Sequence, residues 1–598
     1  MKEDPISARG RRWIGWALAL VATIVVVINQ RDVGIARDEV VYMQNGAHYA
    51  DWWTGLVTFD HGVSKASVTR TFGGPNATDN NREHPPLMKT LFGLSEKLLH
   101  RTLGVAGEVT AFRLPSAIMH GVLVLLVYLM VLELWGTAQA VVAALLLVLL
   151  PRAIFHAGLA CFDAPTMTLW FATIYAYWSS LRRVDGRRWP WQVGIVWGLA
   201  LATKHTALLL PFALGAHYLI AAWRARSHSP GAAGATRRAR ALATARAVLG
   251  YRWRVIVSLA VLGPLTLYVV WPWLWFDPVH HVQDWLAFHL HHVHYNYEYL
   301  GHNWNAPRFP WHVALVTTLF TMPVATLAAA VIGAAVWIAE RTRRDPSRID
   351  RFRSAAQQGS ESPYSEGSPC GDPSAPRLLL VLSAAASAGP FFLGTTPIFG
   401  AEKHWMPALP TICIAAAVGV VWAARTAAGY AAKLRPARAR LAERLAITVI
   451  AGSVVLAAAI ETQLAEPYAL TWYNALAGGA PGGADLGMNR QFWGVAARGV
   501  LARLAAEARP TGTTYVYTHD ASPAWGLYQR LGLVPRTLVD AGWEQGGIDH
   551  SELAIVIHEL HFNRHDYLIW KSYGTVQPIY VLRSDGVPIV SVYRRPPK

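Results

Sequence analysis

Residues 114–135 read LPSAIMHGVLVLLVYLMVLELW, an apolar run long enough for a helix to cross the hydrocarbon of a membrane, which takes about 20 residues. Similar blocks recur at Trp13–Asn29, Val255–Trp275 and Ile447–Ile460. Of the 598 residues, 53% are hydrophobic and only 15% are charged, and the mean hydropathy is +0.25. A soluble chain of this length would need more charge to cover its surface. The sequence therefore predicts a polytopic α-helical membrane protein.

The net charge of +17 is distributed mainly as arginines in short loops between the apolar blocks. This is the positive-inside pattern of cytoplasmic loops rather than the continuous basic groove of a nucleic-acid-binding protein, so we predict no nucleic-acid partner. The basic N-terminus and first apolar block resemble a signal peptide. No small-residue cleavage site follows them, so we predict a retained first span. Three cysteines are too few for a disulfide framework, and we assign none of them a catalytic role.

Placing the basic loops in the cytoplasm predicts about eleven spans, with the N-terminus inside and the C-terminus outside. The stretch 191–223 is short for two passes, but basic residues flank it on both sides. We therefore predict two passes with an outer turn near Lys204-His205. The predicted spans lie at 13–29, 114–135, 137–155, 164–180, two within 191–223, 255–275, 311–338, 378–393, 405–424 and 447–460.

The composition divides the chain into two parts. Residues 1–462 form the predicted transmembrane module, in which residues 31–112 are a long first outer loop, and residues 463–598 form a predicted small α/β domain on the outer face. The Ser/Gly/Pro-rich segment Ser354–Pro376 is typical of a disordered cytoplasmic linker. The predicted elements of the C-terminal domain are strands at 513–518 and 553–558, helices at 521–531 and 563–571, and a hairpin of 579–583 and 588–593 around Ser584-Asp585-Gly586.

Charged residues gather at the outer ends of the predicted spans, and such residues indicate function because a charge is costly to hold near the membrane. The motifs are Asp38-Glu39, Glu83-His84-Pro85-Pro86-Leu87-Met88-Lys89, Phe112-Arg113-Leu114-Pro115 and Asp163-Ala164-Pro165. Each motif alone is weak. Their order and their shared side of the membrane make the set specific.

In that order, the motifs resemble the polyprenyl-phosphate-dependent type C glycosyltransferases, which include protein O-mannosyltransferases and lipid A aminoarabinose transferases. The same resemblance includes Gly198-Leu199-Ala200 with Thr203-Lys204, and Glu402-Lys403-His404-Trp405-Met406-Pro407 ahead of a late span. A segment of bacterial members is similar to Glu466-Pro467-Tyr468, Trp472-Tyr473-Asn474 and Gly478-Gly479. The resemblance extends from Arg31 to Gly487. It implies an inverting transfer of a sugar from a polyprenyl-phosphate donor to a hydroxyl of a protein, lipid A or another envelope glycan. It also implies a multi-pass protein of the bacterial inner membrane, in contact with membrane lipids, that acts on the outer face.

A polyprenyl-phosphate sugar already carries a good leaving group, so the enzyme needs no general acid, unlike a glycoside hydrolase. It needs a base for the acceptor hydroxyl and cations for the departing phosphate. The resemblance makes Asp38 the candidate base, although an Asp at a helix start is also a common N-cap. Glu39 is expected to be a structural or acceptor-side partner. Asp163 either positions the acceptor or a loop, or caps the fourth span.

The cations are assigned in the same way. Arg113 and Lys89 are the expected phosphate ligands, and the alternative is that they extend to lipid headgroups. His84 stands where aminoarabinose transferases carry a lysine that binds phosphate, so we expect it only to assist. The resemblance also places Lys204 and Lys403 in the substrate site, and it places Glu83 at an acidic position near metal or substrate. It leaves a divalent cation open as a cofactor, although no metal ligands are assigned.

The sequence leaves three other interpretations open: a zinc site, a transporter and a sensor. The loop 280–312 is rich in His, Trp and Tyr, which fits a sugar- or lipid-facing surface better than a zinc site, because no carboxylate or Cys is placed beside the histidines. A secondary transporter would carry its charged residues in broken helices near the membrane midplane, whereas these lie in outer loops. A membrane-anchored sensor would have little use for the acidic and basic residues of the first loop.

The alternation of basic loops makes the topology testable. Reporter fusions after Arg238 and Arg438 should report the cytoplasm, and fusions after Trp304 and at Lys598 should report the outer compartment, because basic loops are retained inside. A cytoplasmic reporter at Lys598 would give an even number of spans and contradict the predicted path.

Overall fold

The computed structural model describes residues 7–73, 79, 81–182, 189–227, 253–342, 375–434, 436–542, 544–559 and 563–597. Helices form most of the chain up to residue 465. Their bounds are Ala8–Asn29 (α1), Arg37–Val57 (α2), Lys65–Phe72 (α3), Leu87–Glu96 (α4), Glu108–Trp135 (α5), Thr137–Val148 (α6), Pro151–Ala157 (α7), Asp163–Arg182 (α8), Trp191–Leu201 (α9), Leu210–Ser227 (α10), Trp253–Val270 (α11), Pro278–Leu290 (α12), Val313–Thr321 (α13), Val324–Thr342 (α14), Ala375–Ala388 (α15), Leu409–Leu434 (α16) and Ala439–Ala465 (α17).

Among the described residues, six helices are long and apolar enough to cross a membrane, and there are seven if α6 and α7, which meet at 68°, count as one bent span. The other predicted spans coincide with helices that are shorter or less apolar. In the stretch 191–223 the chain forms α9, turns at Lys204 and re-enters the helical region through a short 3-10 segment and α10. The predicted fold class is therefore confirmed, while the count of eleven and the sidedness stay predictions. Most of the predicted linker lies outside the described residues, and its last two residues begin α15.

The segment predicted to be the first outer loop, a name kept below for residues 31–112, is folded around α2 and α4. These helices cross so closely that a Cβ on Gly93 would fall 1.8 Å from the carbonyl oxygen of Gly46, and a Cβ on Gly46 would fall 2.4 Å from the oxygen of Lys89. Two glycines facing each other let the backbones touch, so each helix fixes the other. This contact sets the direction of α2, whose N-terminus carries Asp38.

The C-terminal region contains a five-stranded sheet with helices beside it. Its helices are Gly479–Asp485 (α18), Leu501–Glu507 (α19), Ser522–Arg530 (α20), Gln545–His550 (α21) and Asn563–Tyr573 (α22), and a separate short hairpin of Tyr297–Tyr299 (β1) and His302–Trp304 (β2) lies in the outer loop 280–312. The strands of the sheet are Thr514–Tyr517 (β3), Leu538–Asp540 (β4), Leu553–Ile557 (β5), Tyr580–Ser584 (β6) and Val587–Arg594 (β7), in the order β4-β3-β5-β7-β6.

Strand β3 runs parallel to β4 and β5, and β7 runs antiparallel to β5 and β6. The predicted hairpin is present. Asp585 and Gly586 both have positive φ, 46° and 80°, as a two-residue turn of type I′ requires. The three-residue strand β4 was missed, because so short a run has no measurable alternation.

The predicted transmembrane module and the predicted C-terminal domain share buried side chains across the boundary between them. Buried side chains of the first outer loop, such as Val40 and Phe92, share one hydrophobic cluster with Trp525 of α20 and Val590 of β7. The division at residues 462 and 463 stays a prediction. What the structure adds is that the sheet region and the first outer loop are packed together.

Candidate active site

The N-terminus of α2 is fixed by the buried carboxylate of Glu39. Its Oε2 accepts a hydrogen bond of 3.0 Å from the backbone N–H of Ala36, which satisfies one of the free donors at the helix start. Its Oε1 accepts one of 2.7 Å from the N–H of Ala160, just before α8. Arg113 of α5 binds both oxygens at 2.7 and 2.8 Å. Asp38, the preceding residue, is left with a side chain that is 29% exposed.

Arg113 has its other donors occupied as well. They reach the carbonyl oxygens of Gln30, Val33 and Gly34, at 3.0, 3.3 and 2.7 Å, in the link between α1 and α2. The guanidinium therefore joins three segments of the chain while it neutralises Glu39. It lies beside the predicted base, but all of its hydrogen bonds are made within the protein.

Lys89 is in a similar position. Its Nζ donates to Asp79 and to the carbonyl of Asn81, both at 2.8 Å, and the side chains of Lys89 and Asp79 are fully buried. Burial lowers the pKa of Lys89, although Asp79 opposes the shift. Glu83 accepts a hydrogen bond of 2.9 Å from Asn81, and burial raises the pKa of Glu83. The assignment of Arg113 and Lys89 to phosphate thus stays a prediction, and in this structure both are closed into ion pairs.

The turn that carries Lys403 is fixed in the same way as α2. Gly400 has φ of 72°, a left-handed conformation that glycine adopts without strain, and it begins the 3-10 turn Ala401–His404. Glu402, next to Lys403, is buried and receives a hydrogen bond of 2.7 Å from Arg152 of α7. The other amino group of Arg152 donates to backbone carbonyls in the segment after α17. The turn is therefore tied to two distant parts of the chain.

Lys403 itself is held by aromatic rings. Its Nζ lies 4.9 Å from the ring centre of Phe399 and 4.3 Å from that of Trp493. Within the residues described, no carboxylate or carbonyl lies at hydrogen-bond distance from this amine. Burial lowers the pKa of Lys403, and the carboxylates of Asp163 and Asp38 oppose that shift. Lys403 is thus a buried cation near both candidate acids, with hydrogen-bond donors to spare.

Asp163 and Lys204 form the remaining charged pair of the cluster. Lys204, in the turn between α9 and α10, donates to Asp163 at the start of α8 over 2.6 Å, and both side chains are buried. The structure therefore brings together Asp38, Asp163, Lys204 and Lys403 from four separate motifs. A fixed arrangement of two acids and two cations can accept a proton and stabilise a departing anion.

Imidazole and aromatic rings form one wall beside these charges. The ring of His84 lies 5.4 Å from Phe162 and 6.1 Å from His289, and His205 stacks on His289 at 3.6 Å. Burial lowers the pKa of His289 to about 4, and burial together with the charge of Lys89 holds the pKa of His84 well below its usual value. These rings are therefore neutral at pH 7, and they offer hydrogen bonds rather than charge.

Several residues of the site were not anticipated. Arg152 lies inside a predicted span, where a charged residue is itself a signal of function or of a buried pair. Asp79 and Trp493 had no motif to mark them. Among the described residues, no group of three or more His, Cys, Asp or Glu is arranged to hold a metal ion. A separate cavity of about 240 Å³ lies between α3 and α12, lined in part by Arg82, Trp273 and Asp284, and none of the predicted site residues lines it.

The chain was compared with known proteins. Residues 83–236 match the family model described as dolichyl-phosphate-mannose-protein mannosyltransferase. This match confirms the predicted resemblance to type C glycosyltransferases. The matched segment includes His84, Lys89, Arg113, Asp163 and Lys204, and it excludes Asp38 and Lys403. No curated protein matches the chain.

Solved structures of type C glycosyltransferases are also similar. ArnT from Cupriavidus metallidurans bound to undecaprenyl phosphate is 13% identical, with 96% of this chain and 97% of that chain covered and a TM-score of 0.42. The oligosaccharyltransferase AglB from Archaeoglobus fulgidus is 11% identical, with 94% and 71% covered and a TM-score of 0.44. A protein O-mannosyltransferase complex of S. cerevisiae bound to the sugar donor is 17% identical, with 44% and 34% covered and a TM-score of 0.31.

The closed pair of Glu39 and Arg113 leads to a stability prediction. Arg113→Met should destabilise the protein by about 3–5 kcal/mol, because it leaves a buried carboxylate without a partner. The double variant Arg113→Met/Glu39→Gln should recover part of the loss, since it removes the charge as well. The measurement is the thermal unfolding midpoint in detergent.

Arg425→Met is the matched control, because it breaks an ion pair of 3.3 Å whose partners are 54% and 42% exposed, and such pairs contribute about 0–1 kcal/mol. An Arg113→Met protein that unfolds like the wild type but uses the lipid donor poorly would contradict the structural role and favour phosphate binding.

Proposed function

We propose that the protein transfers a sugar from a polyprenyl-phosphate donor to an acceptor hydroxyl on the outer face of the membrane, with inversion at the anomeric carbon. The observation that carries the proposal is that a partly exposed carboxylate, Asp38, acts electrostatically on a buried cation, Lys403, which has no hydrogen-bonded partner among the described residues. A base and an uncommitted cation are what this reaction needs. The family match supports the same class of reaction.

The proposed step balances as a single displacement. Asp38 takes the proton of the acceptor hydroxyl, and the oxygen lone pair attacks the anomeric carbon. The bond from that carbon to the phosphate oxygen breaks, and polyprenyl phosphate leaves with the electron pair. Its growing negative charge is stabilised by Lys403, with Lys204 and the neutral imidazole of His84 nearby as further donors.

Asp163 is proposed as the residue that fixes the position of the Lys204 amine. An ion pair of 2.6 Å holds the amine in place, so it can share its remaining donors with a phosphate. Lys403 is buried beside the rings of Phe399 and Trp493, and a charge attracts a phosphate more strongly in such a low-dielectric setting than in water. The charges thus lie in loops and helix termini, as a transferase of this class needs, rather than inside broken helices as in a transporter.

The role of Asp38 is tested by Asp38→Asn. Transfer should fall by about 10²-fold or more, because the amide cannot accept the proton of the acceptor hydroxyl. The assay is initial transfer from several labelled polyprenyl-phosphate sugars, with purified protein in lipid. Asp51→Asn is the matched control, since Asp51 is an exposed carboxylate on the same helix that pairs with Lys97 and Arg101. Near-normal turnover by folded Asp38→Asn would remove Asp38 from the mechanism.

The role of Lys403 is tested through the donor concentration. Lys403→Gln should raise the KM for the lipid donor by roughly 10- to 100-fold, because a hydrogen bond to a charged group is lost. Lys97→Gln, which removes a half-buried lysine that pairs with Asp51, should leave the KM unchanged. His84→Gln should have a smaller effect than Lys403→Gln. If His84→Gln proved the more damaging, the phosphate would have to lie nearer to the paired prolines.

A further inference from the structure

The N-terminus of α2 docks directly on the C-terminal α/β region. The backbone N–H of Ile35 donates to the hydroxyl of Tyr528 over 2.8 Å, and that of Arg37 donates to the carbonyl of Trp493 over 3.0 Å. The side chain of Arg37 donates to Asp520 over 3.0 Å. Three contacts within three residues fix this segment to the sheet region, and Asp38 comes immediately after it.

Asp520 lies just beyond the carboxyl end of a central strand of the sheet. It follows β3, the strand that has β4 on one side and β5 on the other, so the chain crosses to opposite sides of β3. In open α/β sheets, ligands bind beyond the carboxyl ends of the strands at such a reversal. Here Asp520 follows β3, Glu559 follows β5, and Arg37 from the first outer loop interacts with both carboxyl groups. A side chain of the membrane module thus takes the position of a ligand.

Arg37 is shared between two carboxylates. Its Nη1 lies 3.0 Å from Asp520, and its Nε lies 3.5 Å from Oδ1 of Asp38. Burial alone would lower the pKa of Arg37, but Asp520, Asp38 and Glu559 outweigh burial and raise it. Burial and the charge of Asp520 raise the pKa of Glu559 well above its usual value. Among the described residues, the carboxylates within ion-pair distance of Arg37 are those of Asp520 and Asp38.

We propose that Asp520 is a positioning residue that takes part of the Arg37 guanidinium for itself, so that Asp38 shares this cation instead of pairing with it fully and remains an effective base. The inference rests on the proposed function. A guanidinium paired fully with Asp38 would stabilise the carboxylate and weaken its affinity for the acceptor proton. Asp520, whose side chain is only 8% exposed, binds the guanidinium of Arg37 on the side that faces the C-terminal α/β region. The C-terminal region in this way sets the strength of the base as well as its place.

The other titratable groups around Asp38 and Glu559 are unchanged when Asp520 or Arg37 is substituted. Asp38 interacts electrostatically with Lys403 in the loop after α15, with Tyr42 on α2 itself, and with Cys161 in the segment before α8. Glu298 of β1 faces Glu559. Because substitution of Asp520 or Arg37 leaves these groups in place, the difference between the two variants reports the division of Arg37 between its partners.

The experiment is the pH dependence of kcat, measured for full-length protein in lipid with the polyprenyl-phosphate sugar that the wild type uses. Asp520→Asn should move the acid limb of the profile to lower pH by about one unit and reduce the plateau, because Arg37 turns to Asp38. Arg37→Gln should move the same limb to higher pH, because the cation is gone. Arg37→Lys should restore the limb toward the wild-type position.

Glu108→Gln is the matched control. It removes the ion pair of 3.3 Å between α5 and Arg530 of α20, another contact of the C-terminal region with a membrane helix, and it does not touch Asp38. Its acid limb should stay in place. A purely structural role of Asp520 would lower the rate and the unfolding temperature without moving the limb.

Two results would overturn the inference. Transfer by the wild type with the limb unmoved, or moved in the same direction by Asp520→Asn and Arg37→Gln, would overturn it and leave the proposed function intact. Absence of transfer by the wild type from every polyprenyl-phosphate sugar offered would overturn the proposed function, and the inference would fall with it.

Discussion

The bonding of Glu39 to Arg113 is the interaction on which the rest of the site depends. Two buried charges are expensive to remove from water, and the cost is offset only when every donor and acceptor is used. Here Glu39 also accepts from two backbone N–H groups, and Arg113 also donates to three carbonyls. The network joins the link after α1, the start of α2, α5 and the segment before α8. Asp38 has a defined position because its neighbour is locked in this network.

The same arrangement occurs a second time on the other side of the cluster. Glu402 is buried against Arg152, and the adjacent Lys403 is the residue with free donors. In both places a buried carboxylate is paired with an arginine and fixes the backbone, and a neighbouring residue in the chain, Asp38 or Lys403, is the proposed reactive group. Buried ion pairs add little net stability compared with apolar packing, but they impose one geometry. A site that must place a base and a cation at a fixed separation has a use for that property.

The sequence predicted local structure and many residues of the candidate site. It did not predict which charged residues form ion pairs with one another. The Asp585-Gly586 turn and the strands around it follow from short-range rules, and the order of the motifs placed Asp38, Asp163, Lys204 and Lys403 on one site. Arg113 was expected to bind phosphate because it is a cation at the right end of a span. Its partner lies 74 positions away, and that of Arg152 lies 250 positions away. Such pairs depend on how helices pack, which no local pattern encodes.

The docking of α2 on the C-terminal region has a consequence for biosynthesis. Ile35 and its partner Tyr528 are separated by 493 residues, so the ribosome needs roughly 25 to 100 seconds between them at about 5–20 residues per second. During that interval the first outer loop lacks the surface on which the N-terminus of α2 docks. A nascent or truncated chain would therefore carry all its membrane helices and still lack an assembled reaction centre. The candidate site would therefore become complete only when synthesis is nearly finished.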